Sequence, residues 1–296
     1  MNFFNSEQQI VTCSLMGGLG NQLFQLFTTI AYSIENNSTF IFPYSTELNI
    51  GITRPTYWDS FLSGIKSFTT FNNKVITNEM ISKYPQHREI GFHYLKIPPY
   101  VDSDVPKLML TGYYQSYKYF EKFQTQIYEL IHLEQQKAEI KNEYSTFFQD
   151  DINVSMHFRL GDYVGKEKYH PVMNVDYYEN AINYLITKIN TNQFTILYLC
   201  QDIDNQTVEL MITGLRIVFP TINFVKVDDS IDDWKQMLIM SNCNHNIIAN
   251  STFSWWGAYF NTNNPTVCYP TKWFGPAFGH YNINDLFPNK WYKIIC

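Results

Sequence analysis

One short segment near the middle of the chain combines side chains that could bind a phosphorylated ligand. His157, Arg159 and Asp162 lie in the run His157-Phe158-Arg159-Leu160-Gly161-Asp162-Tyr163, which follows an alternating segment that predicts a β-strand. Open α/β sheets bind ligands beyond the carboxyl ends of their strands. The planar guanidinium of Arg159 suits a diphosphate because it donates two parallel hydrogen bonds to phosphate oxygens. A surface ion pair between Arg159 and Asp162 would explain the same spacing without a ligand.

A glycine-rich turn near the start of the chain is a second candidate. The run Gly17-Gly18-Leu19-Gly20-Asn21-Gln22 follows a predicted strand, 9–15, and precedes a helix with apolar residues at three- and four-residue spacing. It lacks the third glycine of the dinucleotide fingerprint and the Gly-Lys-Ser/Thr of a P-loop. Its helix-terminal N–H groups and two amide side chains suit sugar hydroxyls or a phosphate. A purely structural turn is the alternative.

Hydroxyl groups follow another predicted strand, 245–249. The segment Ser251-Thr252-Phe253-Ser254 precedes a helix predicted to begin at Trp255, so hydroxyls and helix-terminal amides could converge on an anion. An ordinary N-cap explains the segment equally well. We expect Trp255 and Trp256 to lie in the core.

Asp202 and Asp204 form a D-x-D pair after the predicted strand 194–200. Two hard carboxylates suit Mg²⁺ or Mn²⁺, as in one large class of glycosyltransferases. Asp202 could equally accept hydrogen bonds from a guanine edge. The 7 histidines and 5 cysteines show no metal-ligand spacing.

Composition narrows the class of protein. The 296 residues are 45% hydrophobic, which is ample for a globular core, and only 16% are charged, which is below the usual fraction of about a quarter. A net charge of −6 argues against non-specific nucleic-acid binding, which needs a concentrated basic surface. No apolar run approaches the roughly 18 residues of a membrane span, so we expect a soluble chain without a transmembrane segment.

The periodicity predicts two successive α/β halves. In the first half it predicts strands at 9–15, 39–42 and 107–111 and helices at 23–34, 117–133 and 136–148. In the second half it predicts strands at 152–158, 194–200, 223–227, 245–249 and 266–269, a helix capped by Asp176, a helix from Asp232 or Asp233 to Met240, and one from Trp255. The polar break 149–151 is the candidate boundary. We therefore predict an α/β fold with two Rossmann-like domains, 1–150 and 151–296, facing a central cleft.

Four segments together resemble the family 11 glycosyltransferases, the galactoside α-1,2-fucosyltransferases, over almost the whole chain. In chain order they are Gly17-Gly18-Leu19-Gly20-Asn21-Gln22-Leu23-Phe24-Gln25, Gly112-Tyr113-Tyr114-Gln115-Ser116-Tyr117-Lys118-Tyr119-Phe120, the arginine segment 157–163, and 240–245 running into 249–258. The resemblance implies a GT-B architecture, GDP-β-L-fucose as donor, no metal, and inverting transfer to O2 of a terminal β-galactose on an oligosaccharide acceptor.

The resemblance also implies roles for individual residues. Arg159 would hold the diphosphate, and the catalytic group would further include Asp162 and Asn21. The donor-binding residues would be Gly18, Gly20, Gln22, His157, Asp202, Ser251, Thr252, Phe253 and Ser254, with His157 and Asp202 near the guanine. Domain 1–150 would lie on the acceptor side and domain 151–296 would bind GDP-fucose. The chain departs from the family pattern at Leu160, where many members carry a second arginine.

Several choices stay open on sequence alone. Asp162, Glu167 and His170 are candidates for the general base, with Asp162 favoured, and a dissociative transition state would need no strong base. One rival function is a metal-dependent transferase using Asp202 and Asp204. The other is a non-catalytic carbohydrate-binding protein, suggested by the 17% aromatic content. Animal relatives are Golgi-anchored, so a chain without an anchor predicts a cytoplasmic enzyme of a microbe or virus.

Overall fold

The computed structural model describes residues 9–49, 51–99 and 107–296, except the side chains of Asn72 and Asp162. The chain divides into two compact units. The first comprises Met1–Glu134 and Tyr281–Pro288, and the second comprises Gln135–His280 and Asn289–Cys296. The predicted domains 1–150 and 151–296, with their acceptor and donor roles, stay a prediction. Among the described residues, no helix is both long enough and apolar enough to cross a membrane.

A four-stranded parallel sheet forms the centre of the first unit. The strands of this unit are β1 (Ile10–Cys13), β2 (Thr39–Phe40), β3 (Glu47–Leu48), β4 (Arg54–Pro55), β5 (Gln86–Arg88) and β6 (Lys107–Thr111). The sheet order is β2-β1-β6-β5, while β3 and β4 form a separate antiparallel pair. The first-unit helices are α1 (Leu19–Glu35), α2 (Asn78–Ile81) and α3 (Gln124–Leu130). Because β1 and β6 are adjacent, the segments that follow them meet at one edge of the sheet.

Helix α1 is buried along most of its length. Leu23, Phe24, Phe27 and Ile30 are fully inaccessible, and they have the three- and four-residue spacing that predicted the helix. The ring of Phe27 packs edge-on against Phe120 at 5.5 Å between centroids. This packing anchors α1, whose first turn carries the glycine-rich segment.

A six-stranded parallel sheet forms the centre of the second unit. Its strands are β7 (Asn153–His157), β8 (Thr195–Leu199), β9 (Asn223–Lys226), β10 (His245–Ile247), β11 (Val267–Pro270) and β12 (Tyr292–Ile294). The helices are α4 (Leu133–Glu143), of which the first two residues belong to the first unit, α5 (Val175–Ile189), α6 (Asn205–Val218), α7 (Asp233–Asn242) and α8 (Thr252–Tyr259). All neighbouring strands pair in parallel, as expected for strands joined through helices.

The strand order of this sheet is β12-β11-β10-β7-β8-β9. Counted from β7, this is the 3-2-1-4-5-6 order of a doubly wound dinucleotide-binding sheet. The order reverses between β7 and β10, and such a switch point opens a crevice beyond the carboxyl ends of both strands. Both β7 and β8 are buried in all five residues. The sequence of β8 is accordingly nearly continuously apolar, whereas β7 alternates apolar residues with Asn153, Ser155 and His157.

Several predicted elements differ from the structure. The helix predicted over 117–133 is confirmed only at Gln124–Leu130, because two short 3₁₀ turns, Tyr117–Tyr119 and Glu121–Phe123, precede α3. The prediction of Asp176 as a helix cap is wrong, since Asn174 caps α5 by accepting from the Tyr177 N–H at 3.3 Å. Helix α8 begins at Thr252, three residues before the predicted start. Strands β5 and β12 and helix α6 had no prediction.

Candidate active site

The candidate site of the second unit lies at the switch point of its sheet. His157 is the last residue of β7, and Arg159 follows two residues later. Ser251 stands at the N-cap of α8, on the segment that follows β10. Because β7 and β10 are neighbours, the fold brings these two sequence-predicted segments to the same edge of the sheet.

His157 is neutral over the physiological pH range. Its side chain is 4% exposed, and its ring lies 5.3 Å from the Phe253 ring. Burial, and secondarily the positive charge of Arg159, lowers the pKa of His157 to about 3. Its Nδ1 is buried without a hydrogen-bond partner among the described residues. A neutral imidazole at this position can donate or accept a hydrogen bond without adding charge.

Arg159 is connected to the opposite side of the switch point through an aromatic ring. Its Cζ lies 5.3 Å from the centre of the Tyr163 ring, within the range of a cation–π contact. The hydroxyl of Tyr163 donates to the carbonyl of Asn250 at 3.3 Å. The Asn250 amide in turn donates to the carbonyl of Pro171 at 2.8 Å. The loops after β7 and β10 therefore support each other.

The segment after Arg159 is held by Asp204. Its carboxylate accepts from the backbone N–H of Gly161 at 2.8 Å and from that of Leu160 at 3.3 Å. A Cβ at 161 would lie 2.6 Å from Oε1 of Gln201, so a larger residue there would displace that side chain. Asp202, by contrast, is exposed and accepts from the amide of Asn205 at 3.0 Å. The D-x-D pair thus splits into one structural carboxylate and one surface carboxylate.

The hydroxyl-rich segment has two different parts. Ser254 is fully buried, and its hydroxyl donates to the carbonyl of Ser251 at 3.2 Å and more weakly to that of Ala249. Ser251 has extended backbone at the N-cap, and its side chain makes no capping hydrogen bond. The N–H groups of the first turn of a helix have no intrahelical acceptor. Thr252 and Phe253, both half-buried, lie in this turn, which can accept an anion.

The candidate bases differ in their surroundings. Glu167 is exposed and accepts from the N–H of Gly165 at 2.8 Å, which lowers the pKa of its carboxyl and makes it a weaker base. His170 stacks on Tyr163 at 4.7 Å between ring centres. The side chain of Asp162 lies outside the described residues, so its role as base or as partner of Arg159 stays a prediction.

The glycine-rich turn of the first unit forms the start of α1. Gly18 is the N-cap, and Gly17 has a φ of +79° that favours glycine. Gln22 is 1% exposed, and its amide donates to the carbonyls of Gly17 at 3.0 Å and Pro55 at 2.9 Å. This geometry gives Gln22 a structural contribution, whereas donor binding by Gly18, Gly20 and Gln22 stays a prediction.

Asn21 has a partner that the sequence did not reveal. Its Oδ1 accepts from Nε2 of Gln115 at 3.0 Å. Gln115 belongs to the second family-like segment, but nothing in the sequence connects two amides 94 residues apart. The supporting roles of Tyr163 and Asn250 were also missed. Tyr163 had one signal, an aromatic residue four positions after the arginine.

No group of three or more His, Cys, Asp or Glu side chains capable of holding a metal ion occurs among the described residues. The Asp202–Asp204 pair therefore has no third ligand of these types within that part of the chain. Asp204 is in addition committed to two backbone amides.

Comparison with known proteins identifies the family. The family model described as glycosyl transferase family 11 matches residues 2–294, so the chain belongs to this family and is a glycosyltransferase. It is 28% identical over 265 residues to an alpha-1,2-colitosyltransferase of Escherichia coli, covering 84% of this chain and 87% of that protein. It is 23% identical over 259 residues to galactoside alpha-(1,2)-fucosyltransferase 1 of Plecturocebus brunneus, covering 82% of this chain and 63% of that protein.

Solved structures agree on the fold. POFUT1 in complex with GDP-fucose is similar with a TM-score of 0.52 at 13% identity, over 90% of this chain and 99% of that chain. POFUT1 in complex with GDP gives the same TM-score and identity, over 98% of that chain. At this identity the similarity shows the fold alone. The predicted α/β class with parallel sheets, of the GT-B type, is confirmed.

Proposed function

We propose that this glycosyltransferase moves L-fucose from GDP-β-L-fucose to O2 of a terminal β-galactose, with inversion at the anomeric carbon and without a metal ion. The observation that supports it best is the position of Arg159 beside a neutral His157 at the switch point of a doubly wound sheet. The similarity to an α-1,2-fucosyltransferase and an α-1,2-colitosyltransferase supports the linkage. A cytoplasmic location is part of this proposal.

In the proposed reaction, the bond from the fucose C1 to the phosphate oxygen breaks while the galactose O2 bonds to C1. The departing GDP gains negative charge. Arg159 would stabilise this charge by donating two parallel hydrogen bonds from its guanidinium, together with the first-turn N–H groups of α8. His157 would form hydrogen bonds to the guanine with a neutral imidazole. The proton of the galactose hydroxyl would pass to Asp162 or to solvent.

The electrostatics of the second unit support a metal-independent reaction. Asp204 uses both carboxylate oxygens on the amides of Leu160 and Gly161, so binding a cation would break the contacts that shape the arginine loop. A guanidinium is permanently charged and cannot be removed by a chelator. We therefore expect full activity in EDTA.

The test is incubation of the purified protein with GDP-fucose and a panel of β-galactosides. An α-1,2-linked product, identified by NMR, is the expected result. Loss of activity in EDTA that Mn²⁺ restores would favour the rival metal-dependent transferase. Glycan binding measured by calorimetry without any binding of GDP would favour a carbohydrate-binding protein.

A second donor should be tested with the same panel of β-galactosides. The similarity to an alpha-1,2-colitosyltransferase at 28% identity favours GDP-colitose as the alternative. Faster transfer from GDP-colitose than from GDP-fucose would replace the proposed donor and leave the proposed linkage intact.

A further inference from the structure

The pair Asn21–Gln115 has the chemistry of a hydroxyl-binding site. Both residues belong to the first unit, and they follow β1 and β6, the two adjacent central strands of its sheet. The chain leaves β1 for β2 on one side, while β6 lies on the other side, so the pair is at a switch point of this sheet. Gln115 is 6% exposed and Asn21 is half-buried.

The hydrogen bond within the pair orients both amides. Nε2 of Gln115 donates to Oδ1 of Asn21, which leaves Nδ2 of Asn21 as a donor and Oε1 of Gln115 as an acceptor. Each amide would otherwise be free to turn its oxygen or its nitrogen outward. One donor and one acceptor side by side match a single hydroxyl group, which both donates and accepts.

The loop that carries Gln115 is held in a constrained backbone conformation. Gly112 has a φ of +155° and Tyr114 a φ of +52°, the left-handed region that a tyrosine rarely adopts. The hydroxyl of Tyr114 donates to the carbonyl of His87 at 3.1 Å. Ser116 donates to the carbonyl of Asp285 at 2.7 Å. The direction of Gln115 therefore depends on contacts on both sides of it.

The carboxylate of Glu89 stabilises this loop by accepting hydrogen bonds from its backbone. Its Oε2 accepts from the N–H of Tyr113 at 2.7 Å and from that of Tyr114 at 2.9 Å. A Cβ at Gly112 would lie 2.3 Å from the Glu89 Cβ, so the loop and the carboxyl side chain are in close contact. The carboxyl is largely buried, which raises its pKa.

We propose that Asn21 and Gln115 form a binding site for one sugar hydroxyl of the transfer reaction, and that Glu89 is a positioning residue acting through Gln115. This inference rests on the proposed function. The hydroxyl belongs either to the donor sugar or to the acceptor, and the two differ only in which Michaelis constant the pair controls.

The first test compares Gln115→Leu with Thr77→Ala. Leucine keeps the volume but removes the amide, whereas Thr77 caps α2 through a bond to the Met80 N–H and lies outside the site. Loss of an uncharged hydrogen bond, together with reorientation of Asn21, should lower kcat/KM about tenfold or more in Gln115→Leu. Thr77→Ala should keep the wild-type kcat/KM while its melting temperature falls.

The kinetic constants identify the hydroxyl. A raised KM for the galactoside with an unchanged KM for GDP-fucose assigns the hydroxyl to the acceptor, and the reverse assigns it to the donor. A Gln115→Leu protein with the kcat/KM of Thr77→Ala overturns the inference. Failure of the proposed function is separate, because it is read from the wild-type protein and the donor panel alone.

The second test is a double-mutant cycle for the positioning role. Glu89→Gln keeps an oxygen acceptor for the two amides and should retain most of the activity, whereas Glu89→Ala should lose as much as Gln115→Leu. Because Glu89 acts through Gln115, the double variant Glu89→Ala/Gln115→Leu should have the same kcat/KM as Gln115→Leu alone. Additive losses in kcat/KM would show that Glu89 only stabilises the fold and would overturn its positioning role.

Discussion

Oδ1 of Asp204 accepts a hydrogen bond from the backbone N–H of Gly161 at 2.8 Å. This contact connects the end of β8 with the loop that carries Arg159, and Oδ2 of the same carboxylate adds a bond from Leu160. A D-x-D sequence that suggests a metal site therefore contains one carboxylate that shapes an arginine loop.

Asp204→Ala should destabilise the protein. The substitution leaves two partly or fully buried N–H groups without their acceptor, so we expect the free energy of unfolding to fall by about 1–3 kcal/mol. Urea unfolding measures this change. Asp202→Ala is the matched control, because that side chain is exposed and should change the free energy by less than about 0.5 kcal/mol. Equal effects of the two substitutions would contradict the structural role of Asp204.

Arg159→Ala should remove most of the transferase activity. Loss of a charged donor to the leaving group commonly lowers kcat on the order of 10²–10³-fold. Arg159→Lys should restore little, because an ammonium cannot form two parallel bonds to a diphosphate. The control is Arg216→Ala, since Arg216 is exposed and pairs with Glu209. Near wild-type turnover of Arg159→Ala would refute the assignment, and calorimetry with GDP would locate the loss in nucleotide binding.

The stability of the protein should fall in acid because of His157. Its pKa is lowered from 6.5 to about 3 in the folded state, so the unfolded chain binds more protons between these values. The contribution of His157 is therefore complete above pH 6.5 and decreases as the pH falls toward 3. Between pH 6.5 and about pH 4.5 the free energy of unfolding should fall by about 2–3 kcal/mol because of His157.

Urea unfolding of the wild type and of His157→Gln over this pH range isolates the effect, since all other titrating groups are shared. The wild type should lose more stability than the variant on acidification. Parallel pH dependence of the two proteins would show that folding does not lower the pKa of His157.

Two glycines should respond to alanine in opposite directions. A Cβ at Gly275 would lie 2.4 Å from the carbonyl oxygens of Glu167 and Lys168, so Gly275→Ala should destabilise by about 1–3 kcal/mol. Gly214 lies inside α6 with open space around it, and Gly214→Ala should stabilise by about 0.5–1 kcal/mol. Thermal unfolding of both variants checks the pair, and a stabilised Gly275→Ala protein would rule out the close backbone contact.

Much of the second unit could be predicted from the sequence. Strand β7 alternates polar and apolar residues and β8 is a nearly continuous apolar run, and polar or glycine-containing segments follow both strands directly. Since the carboxyl ends of parallel strands share one edge, locating the strands also located Arg159 and Ser251 at that edge. The resemblance to the family 11 glycosyltransferases then implied the donor-binding roles of these segments.

Other features depend on contacts that are distant in sequence. The bond between Asn21 and Gln115 spans 94 residues, and the burial that raises the pKa of Glu89 arises only when the loop after β6 packs on it. The edge strand β5 has a polar sequence, Gln86–Arg88, without the alternation that marks a strand. Local periodicity contains no information on such contacts.

The return of residues 281–288 to the first unit has a consequence for how the protein is made. Asp285 accepts from Lys118 and, through its backbone, from Ser116, yet it emerges from the ribosome some 150 residues after the rest of that unit. Domains usually fold in the order of their synthesis. Here residues 281–288 are synthesised only after residues 135–280 of the second unit, so the loop bearing Gln115 acquires its final support after most of that unit has been made.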